Sequence, residues 1–322
     1  MSIRRLNGSM DFEDRDLLAT EEPLEIRVEG HSVAVVMRTP GEDRELAAGF
    51  LVTESLIKDF SDLVDIRHQE HCAALGRPAM DRTDPASLDS GKLTPGNLNS
   101  LPKPAESDHT GPDHAGAPAE PKSNSALGNI INVRLKNPDA LDLKKLTRHV
   151  FTSSSCGICS KSSIAAVRQQ FPPIDDACEV DPQLLMRLPQ LLSAAQDTFN
   201  QTGGLHACAL FDLSGRLLVI REDVGRHNAL DKVVGWALLE NRLPLREHIL
   251  LLSGRTSFEM LQKSLAAGVP IVAAVSAPSS LAAEFARDSG QTLIGFLRGE
   301  KMNIYAGATR VGKPTTIPSV GS

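Results

Sequence analysis

Apolar and polar residues alternate through EPLEIRVEGHSVAVVMR, residues 22 to 38, on both sides of the Glu29–Gly30 pair. That period of two predicts a β-hairpin with one buried face. In the next stretch, PGEDRELAAGFLVTESLI, the period lengthens to that of a helix. Pro40 and Gly41 open it, and its acids crowd the first turn, where the helix dipole is positive. From about Gly76 to Gly128 the periodicity disappears. DRTDPASLDSGKLTPGNLNSLPKPAESDHTGPDHAGAPAEPKSNS is dense in Pro, Gly, Ser and Asp and poor in branched and aromatic residues. Such a segment buries too little apolar surface to offset its ordering entropy, which predicts a disordered insertion. His109 and His114 within it read as solvated linker residues. Order is expected to resume with the strand NIINVRL, and the two strands flanking the insertion are placed to pair across it.

Beyond the insertion the pattern predicts a short amphipathic helix at SSIAAVRQQF, broken by Pro172 and Pro173. A longer helix is expected over DPQLLMRLPQLLSAAQDTFNQTGG, stopped by its glycine pair. Strands and helices then alternate. LHACALFD and RLLVIRED read as strands, residues from about Asn228 to Glu240 as a helix, HILLLSG as a buried strand and SFEMLQKSLAAG as a helix. VPIVAAVSAP, SLAAEFARDSG, TLIGFLRG and KMNIYAG follow as strand, helix, strand and strand. Nearly continuous apolar strands separated by helices indicate an α/β (α+β) fold. Its mixed sheet should be largely parallel in the C-terminal half, with helices on both faces. The chain divides into an N-terminal hairpin and helix region (1–75), the insertion (76–128), an α/β domain (129–310) and a tail (311–322). No repeat with a period of 20 to 50 residues is present.

Composition narrows the partners. The 322 residues are 41% hydrophobic and 23% charged, ordinary values for a globular chain with a sizeable core. Aromatic residues make up 4%, with one Trp and one Tyr, too few for a base-stacking nucleic-acid platform. A formal net charge of −6 gives no global field for phosphate backbones or membrane surfaces, so any anionic ligand needs a local basic cluster. The N-terminus turns acidic after Arg4 and Arg5 and lacks the apolar core of a secretory signal. The longest apolar runs fall well short of the roughly 18 residues of a membrane span. These features predict a cytoplasmic protein. Five cysteines, an odd number in a reducing compartment, argue against structural disulfides.

The chemistry concentrates in TSSSCGICSKSS, residues 152 to 163, where Cys156 and Cys159 form a CxxC. A structural zinc site wants four ligands, and no second CxxC exists, because Cys72, Cys178 and Cys208 are scattered. A thioredoxin-type dithiol would follow a strand and a Trp, whereas Ser153, Ser154 and Ser155 precede this pair. Zinc deaminases use H-x-E followed by P-C-x-x-C. Here His206-Ala207-Cys208 comes after the CxxC, without the glutamate and without a proline before Cys156, which excludes that chemistry. The remaining reading is a reactive thiol on a loop. Gly157 permits a sharp turn, a helix is expected just beyond Cys159, and Lys161 adds positive charge, all of which favour a thiolate. A buried inert cysteine pair suits these polar flanks poorly.

Several longer stretches carry a resemblance: EEPLEIRV, MRTPGEDRELAAGFLVTE, SSCGIC, REDVGRHNALDK, LLLSGRTSFEM, VSAPSSLA and TLIGFLRGEKMNIY. In this order, from about Leu18 to Gly307, they resemble the FdhD family of formate dehydrogenase accessory sulfurtransferases. The resemblance implies a cytidine-deaminase-like fold without zinc or any structural metal, and a homodimer. It implies a protein that takes persulfide sulfur from a cysteine desulfurase. The sulfur then passes to the molybdenum (or tungsten) bis(guanine dinucleotide) pterin cofactor before that cofactor enters formate dehydrogenase. Cys156 matches the family's persulfide-carrying cysteine and Cys159 its companion. Phe296, Leu297, Arg298, Gly299, Glu300 and Lys301 match the segment assigned to the cofactor.

The residues themselves point the same way. Persulfide transfer needs one exposed, activated thiol, and a phosphate-bearing acceptor needs local cations. Arg221, Arg226 with His227, Arg255, and Arg298 beside Gly299 each stand near a glycine or a strand end, where guanidinium and backbone N–H groups can hold phosphate together. Competing structural roles are an Arg226–Asp223 ion pair, loop capping by Arg255 and core packing by His206. A non-covalent chaperone of the molybdenum cofactor is the alternative function, and a zinc hydrolase a weaker third.

Overall fold

The computed structural model describes residues 1–8, 10–69, 128–138, 171–175 and 177–313. Cys156, Cys159, Lys161, the segment 76–127 and the helix expected at SSIAAVRQQF lie outside the described residues.

The hairpin forms as its pattern requires. β3 (Glu22–Val28) and β4 (His31–Arg38) pair antiparallel. Glu29 and Gly30 both take positive φ, 50° and 80°, the geometry of a two-residue turn whose twist matches the strands. β5 (Leu63–His68) and β6 (Ile130–Leu135) complete a four-stranded sheet in the order β4-β3-β6-β5. The strands on either side of the insertion do pair. His68 faces Ile131, and Gln69 N–H donates to the Ile130 carbonyl at 2.9 Å. β6 is also parallel to β3, so the expected division at 75/129 runs through one sheet. Described residues before 70 and after 128 accordingly form one compact unit. Ahead of this sheet, β1 (Ser2–Asn7) and β2 (Met10–Arg15) make a separate two-stranded ribbon.

The second sheet has six strands in the order β12-β11-β10-β9-β7-β8. They are β7 (His206–Asp212), β8 (Leu217–Asp223), β9 (His248–Leu252), β10 (Ile271–Ala274), β11 (Thr292–Arg298) and β12 (Lys301–Ala306). Only β9, β10 and β11 run parallel; β7 is antiparallel to both neighbours and β12 to β11. The sheet is therefore less parallel than expected, because the two outer hairpins reverse direction. Alternate residues feed two cores. Cys208, Leu210, Leu250, Leu252, Val272 and Ala274 face a core that continues to the four-stranded sheet. Ala209, Phe211, Ile249, Leu251, Ile271 and Ala273 face the other.

Helices cover both faces. α1 (Asp43–Thr53), α4 (Arg226–Leu239), α5 (Phe258–Ala266) and α6 (Ser280–Asp288) fill the first core, and α2 (Pro182–Ala194) covers the second. Asp181 caps α2 by accepting from Gln183 N–H at 2.9 Å, with Pro182 at the first helical position. The single helix expected over 181–204 is two: α2 ends at Ala194, and α3 (Asp197–Thr202) follows after Gln196.

α1 crosses α4 at very short range. A Cβ on Gly49 would stand 1.8 Å from the Asp231 carbonyl oxygen, and one on Gly235 1.8 Å from that of Glu45. Only glycine fits at this crossing. Two buried lysines secure it. Lys263 Nζ meets both Asp231 oxygens at 2.9 and 3.0 Å and Thr53 Oγ1 at 2.9 Å. Lys232 Nζ lies 3.0 Å from Asp223 Oδ2 and donates to the Thr39 carbonyl at 3.0 Å. Every such partner matters, since an uncompensated buried charge is strongly destabilising.

Candidate functional site

Parallel strands deliver their carboxyl ends to one edge of a sheet, and ligand sites of α/β folds gather there. In this sheet that edge holds the ends of β8, β9, β10 and β11 and the start of β7, since His206 pairs with Asp223 and Cys208 with Leu252. The loops are tied together. Ser253 Oγ accepts from Ala207 N–H at 2.8 Å. Thr256 N–H donates to the Ala277 carbonyl at 3.2 Å and its carbonyl accepts from Ser279 N–H at 3.0 Å, while Phe296 N–H reaches the Ser276 carbonyl at 3.1 Å.

Asp223 organises the first of these loops. Fully buried, it accepts from Gly225 N–H at 2.8 Å, Asn228 Nδ2 at 2.9 Å and Thr39 N–H at 3.1 Å. Its ionic partner is Lys232, so the Arg226–Asp223 pair weighed as a competing structural role does not form. Arg226 and His227 instead open α4, and Arg226 Nε is buried without a hydrogen-bond partner. His227 Nε2 lies 3.1 Å from Glu259 Oε2 in the first turn of α5. Burial tends to raise the Glu259 carboxyl, but His227, Lys263 and Arg226 outweigh it and hold the group below its ordinary value.

His206, read from sequence as a core histidine, is half-buried at this edge, its ring against the Gly254 backbone. Burial, and then the positive charges of Arg226, His227 and Arg255, push its pKa down from 6.5. Arg226, His227 and Arg255 thus stand close enough to His206 to bias it toward its neutral form, a local basic group of the kind an acidic protein needs for an anionic ligand. Arg221 does not join them. Its guanidinium forks onto Glu45, with Nη2 2.7 Å from Oε1, and links β8 to α1.

Beside the cluster a cleft of about 710 Å³ opens between α2–α3 and the sheet edge. Leu192, Phe199 and Leu205 give it apolar walls, and Gln196, His206 and exposed Arg255 provide polar groups. Gln196 is 6% exposed with its Nε2 unpartnered. Nothing in the sequence marked Gln196, since it stands in an interrupted helix with no glycine or proline at the break.

The 296–301 segment forms the far side of the edge. Phe296 has a φ of 53°, left-handed and uncommon for a bulky residue, at an irregularity between Gly295 and Arg298. Arg298 places its guanidinium 5.8 Å from the Phe296 ring centroid. Gly299 and Glu300 form the exposed turn to Lys301, which starts β12. Leu297 points the other way and is fully buried in the core. Arg226, His227 and Arg255 are thus brought together with His206, and the 296–301 turn adjoins them through Ser276. Cys156 and Cys159 lie outside the described residues, and among the described residues no group of three or more His, Cys, Asp or Glu is placed to hold a metal ion. Among the described residues no helix is long and apolar enough to cross a membrane.

Comparison with known proteins places this edge in context. The sequence profile of the FdhD/NarQ family matches residues 19–96 and 115–312. The sulfur carrier protein FdhD of Mycolicibacterium paratuberculosis is 44% identical over 312 residues, covering 96% of this chain and 97% of its own. That of Streptomyces avermitilis is 45% identical, with 92% and 89% covered, and that of Saccharolobus solfataricus 34% identical, with 95% of each covered. A crystal structure of a protein assigned as a formate dehydrogenase accessory protein from Desulfotalea psychrophila matches with a TM-score of 0.63. It is 21% identical, over 97% of this chain and 98% of the other, a likeness of fold.

Proposed function

The chain belongs to the FdhD/NarQ family, and from that premise we propose that it is a sulfur carrier for formate dehydrogenase. The observation carrying this reading is the 44% identity, over 96% of the chain, to a protein named for sulfur carriage. In the proposed reaction, the Cys156 thiolate attacks the terminal sulfur of a cysteine desulfurase persulfide. A new S–S bond forms on Cys156, the donor S–S bond breaks, and its electron pair leaves with the donor thiolate. No external oxidant or reductant is needed. Cys159 is the companion thiol.

The proposed acceptor is the molybdenum bis(guanine dinucleotide) pterin cofactor, handled as substrate. The sheet edge supports it: phosphates need cations, and Arg226, His227 and Arg255 converge there with His206, beside the exposed Arg298-Gly299-Glu300-Lys301 turn. Phe296 offers a ring face next to that turn, whereas Leu297 contributes only core packing. Handover to the cofactor, its passage to formate dehydrogenase, a homodimeric assembly and a cytoplasmic setting belong to the same proposal.

The test is maturation. A cell lacking its own carrier and supplied with this chain should assemble active formate dehydrogenase, and Cys156→Ser should abolish that activity. Full maturation by a variant lacking both Cys156 and Cys159 would replace sulfur transfer with non-covalent cofactor delivery, which the cationic edge alone could perform.

A further inference from the structure

The stretch MRTPGED, residues 37 to 43, carries part of the family resemblance, yet none of its residues lines the cleft. Its polar groups turn instead to the bend between β8 and α4. Thr39 commits all of its own. Its N–H donates to Asp223 Oδ2 at 3.1 Å, its hydroxyl oxygen accepts from Val224 N–H at 3.2 Å, and its carbonyl accepts from Lys232 Nζ at 3.0 Å. On one side of it the Met37 carbonyl accepts from Asn228 Nδ2 at 2.7 Å, and on the other the Glu42 carboxylate stands 3.5 Å from Lys232 Nζ.

The bend has little to fix it from within. Gly225 holds the cap position of α4 and has no side chain to restrain the backbone or to cap the helix. Gly225 N–H and Asn228 Nδ2 both donate to a single oxygen, Asp223 Oδ1. Val224 lies just past the β7–β8 ladder, which ends at Asp223, so its N–H needs an acceptor from elsewhere. Thr39 supplies it from 185 positions away in the chain. Arg226 and His227 follow directly, and any change in the torsions at 224 and 225 is passed on to them.

The anchor itself is stiff. Arg38 forks onto Asp43, with Nε 2.9 Å from Oδ1 and Nη2 3.0 Å from Oδ2, and both residues are buried. That pair closes the loop between β4 and α1, in which Gly41 and Glu42 take positive φ of 111° and 51°.

We propose that Thr39 is a positioning residue for the basic sheet edge, its hydroxyl fixing the Val224–Gly225 bend so that Arg226 and His227 are presented to the phosphate-bearing acceptor. Thr39 acts through the bend and not on the ligand. Its role rests on the proposed cofactor reading for what is bound, and adds to it a part for the N-terminal sheet in holding that ligand.

Titration calorimetry of the full chain with guanosine diphosphate, a stand-in for half of the acceptor's tail, tests it alongside thermal unfolding. Thr39→Val removes the hydroxyl at nearly constant size, Thr39→Ala removes it without a branched side chain, and Thr39→Ser keeps it. The first two should weaken binding about fivefold or more, the fold-change of one lost hydrogen bond, at a temperature well below each unfolding midpoint. Thr39→Ser should bind as the parent does. Thr292→Val is the matched control, because Thr292 Oγ1 donates to the Gly307 carbonyl at 2.9 Å at the far end of β11. It should lower the midpoint and leave the affinity unchanged. A merely structural Thr39 would make Thr39→Val behave like Thr292→Val, with a lower midpoint and parental affinity, and that result overturns the proposal. So does a Thr39→Ser chain that binds as weakly as Thr39→Val. Thr39→Ala keeps the test open if Thr39→Val does not fold. Failure of the parent chain to bind the diphosphate would overturn the cofactor reading and the role of Thr39 together, whereas parental affinity in both hydroxyl-free variants would overturn the role of Thr39 alone.

Discussion

At the scale of single residues, the account turns on which charges of an acidic chain are paired internally and which stand beside the cleft. Arg221 and Lys232 are consumed by Glu45 and Asp223 and His227 faces Glu259, whereas Arg226 and Arg255 are left near His206. His206 should make anion binding sensitive to pH. Its folded pKa lies below the ordinary 6.5, so it is neutral at pH 7, and its share of stability is lost as pH falls below that value. An anion bound beside His206 reverses the bias of Arg226, His227 and Arg255 and favours the imidazolium. Sulfate, which does not titrate in this range, should therefore raise the thermal midpoint more at pH 5.5 than at pH 7.5, and His206→Asn should flatten that difference. A sulfate effect that is the same at both pH values would place the anion away from His206. The arginines of the site were legible in the sequence because each stands beside a glycine or a strand end. His206 and Gln196 were not. Their importance comes from antiparallel pairing and from missing hydrogen bonds, which no spacing records.

At the scale of elements, strands and helices followed their periods wherever one face is buried. The hairpin at 22–38, α1, and β9 through α6 stand close to where alternation and helical spacing put them. The ribbon β1–β2 escaped because it buries almost nothing and so lacks alternation, although the Gly8-Ser9 pair between its paired ends, Asn7 and Met10, is a hairpin signal. Strand direction was also hidden, since β7 and β12 have the same apolar character as their parallel neighbours. The crossing of α1 and α4 carries the energetic consequence. Gly235→Ala must push apart two helices whose backbones leave 1.8 Å for the new Cβ. Overpacking of this kind costs about 1 to 3 kcal/mol, and more where backbone must move. The urea midpoint should fall accordingly, and an unchanged midpoint would mean that the helices can slide without loss. Because Asp231, Lys232 and Asp223 lie on or beside α4, the same variant should also loosen the turn that presents Arg226 and His227.

At the scale of the molecule, one sheet edge gathers contributions from remote parts of the chain, and the 76–128 segment interrupts it without separating its parts. Gln69 and Ile130 are hydrogen-bonded neighbours, so the chain can be closed across the gap by a few residues. Loop-closure cost changes slowly with length. Deleting residues 78 to 125 should thus preserve the thermal midpoint and sulfur acceptance, and an insoluble or inactive product would give that segment a role of its own. The central claim is that sulfur rides on Cys156 while the sheet edge receives the acceptor. Its most direct measurement is the intact mass of the chain after incubation with a cysteine desulfurase and cysteine. The parent chain and Cys159→Ser should each gain about 32 Da, one sulfur atom as a persulfide that a reductant removes, and Cys156→Ser should gain none. A gain retained in Cys156→Ser but lost in Cys159→Ser would exchange the two roles, and no gain in any chain would contradict sulfur carriage itself.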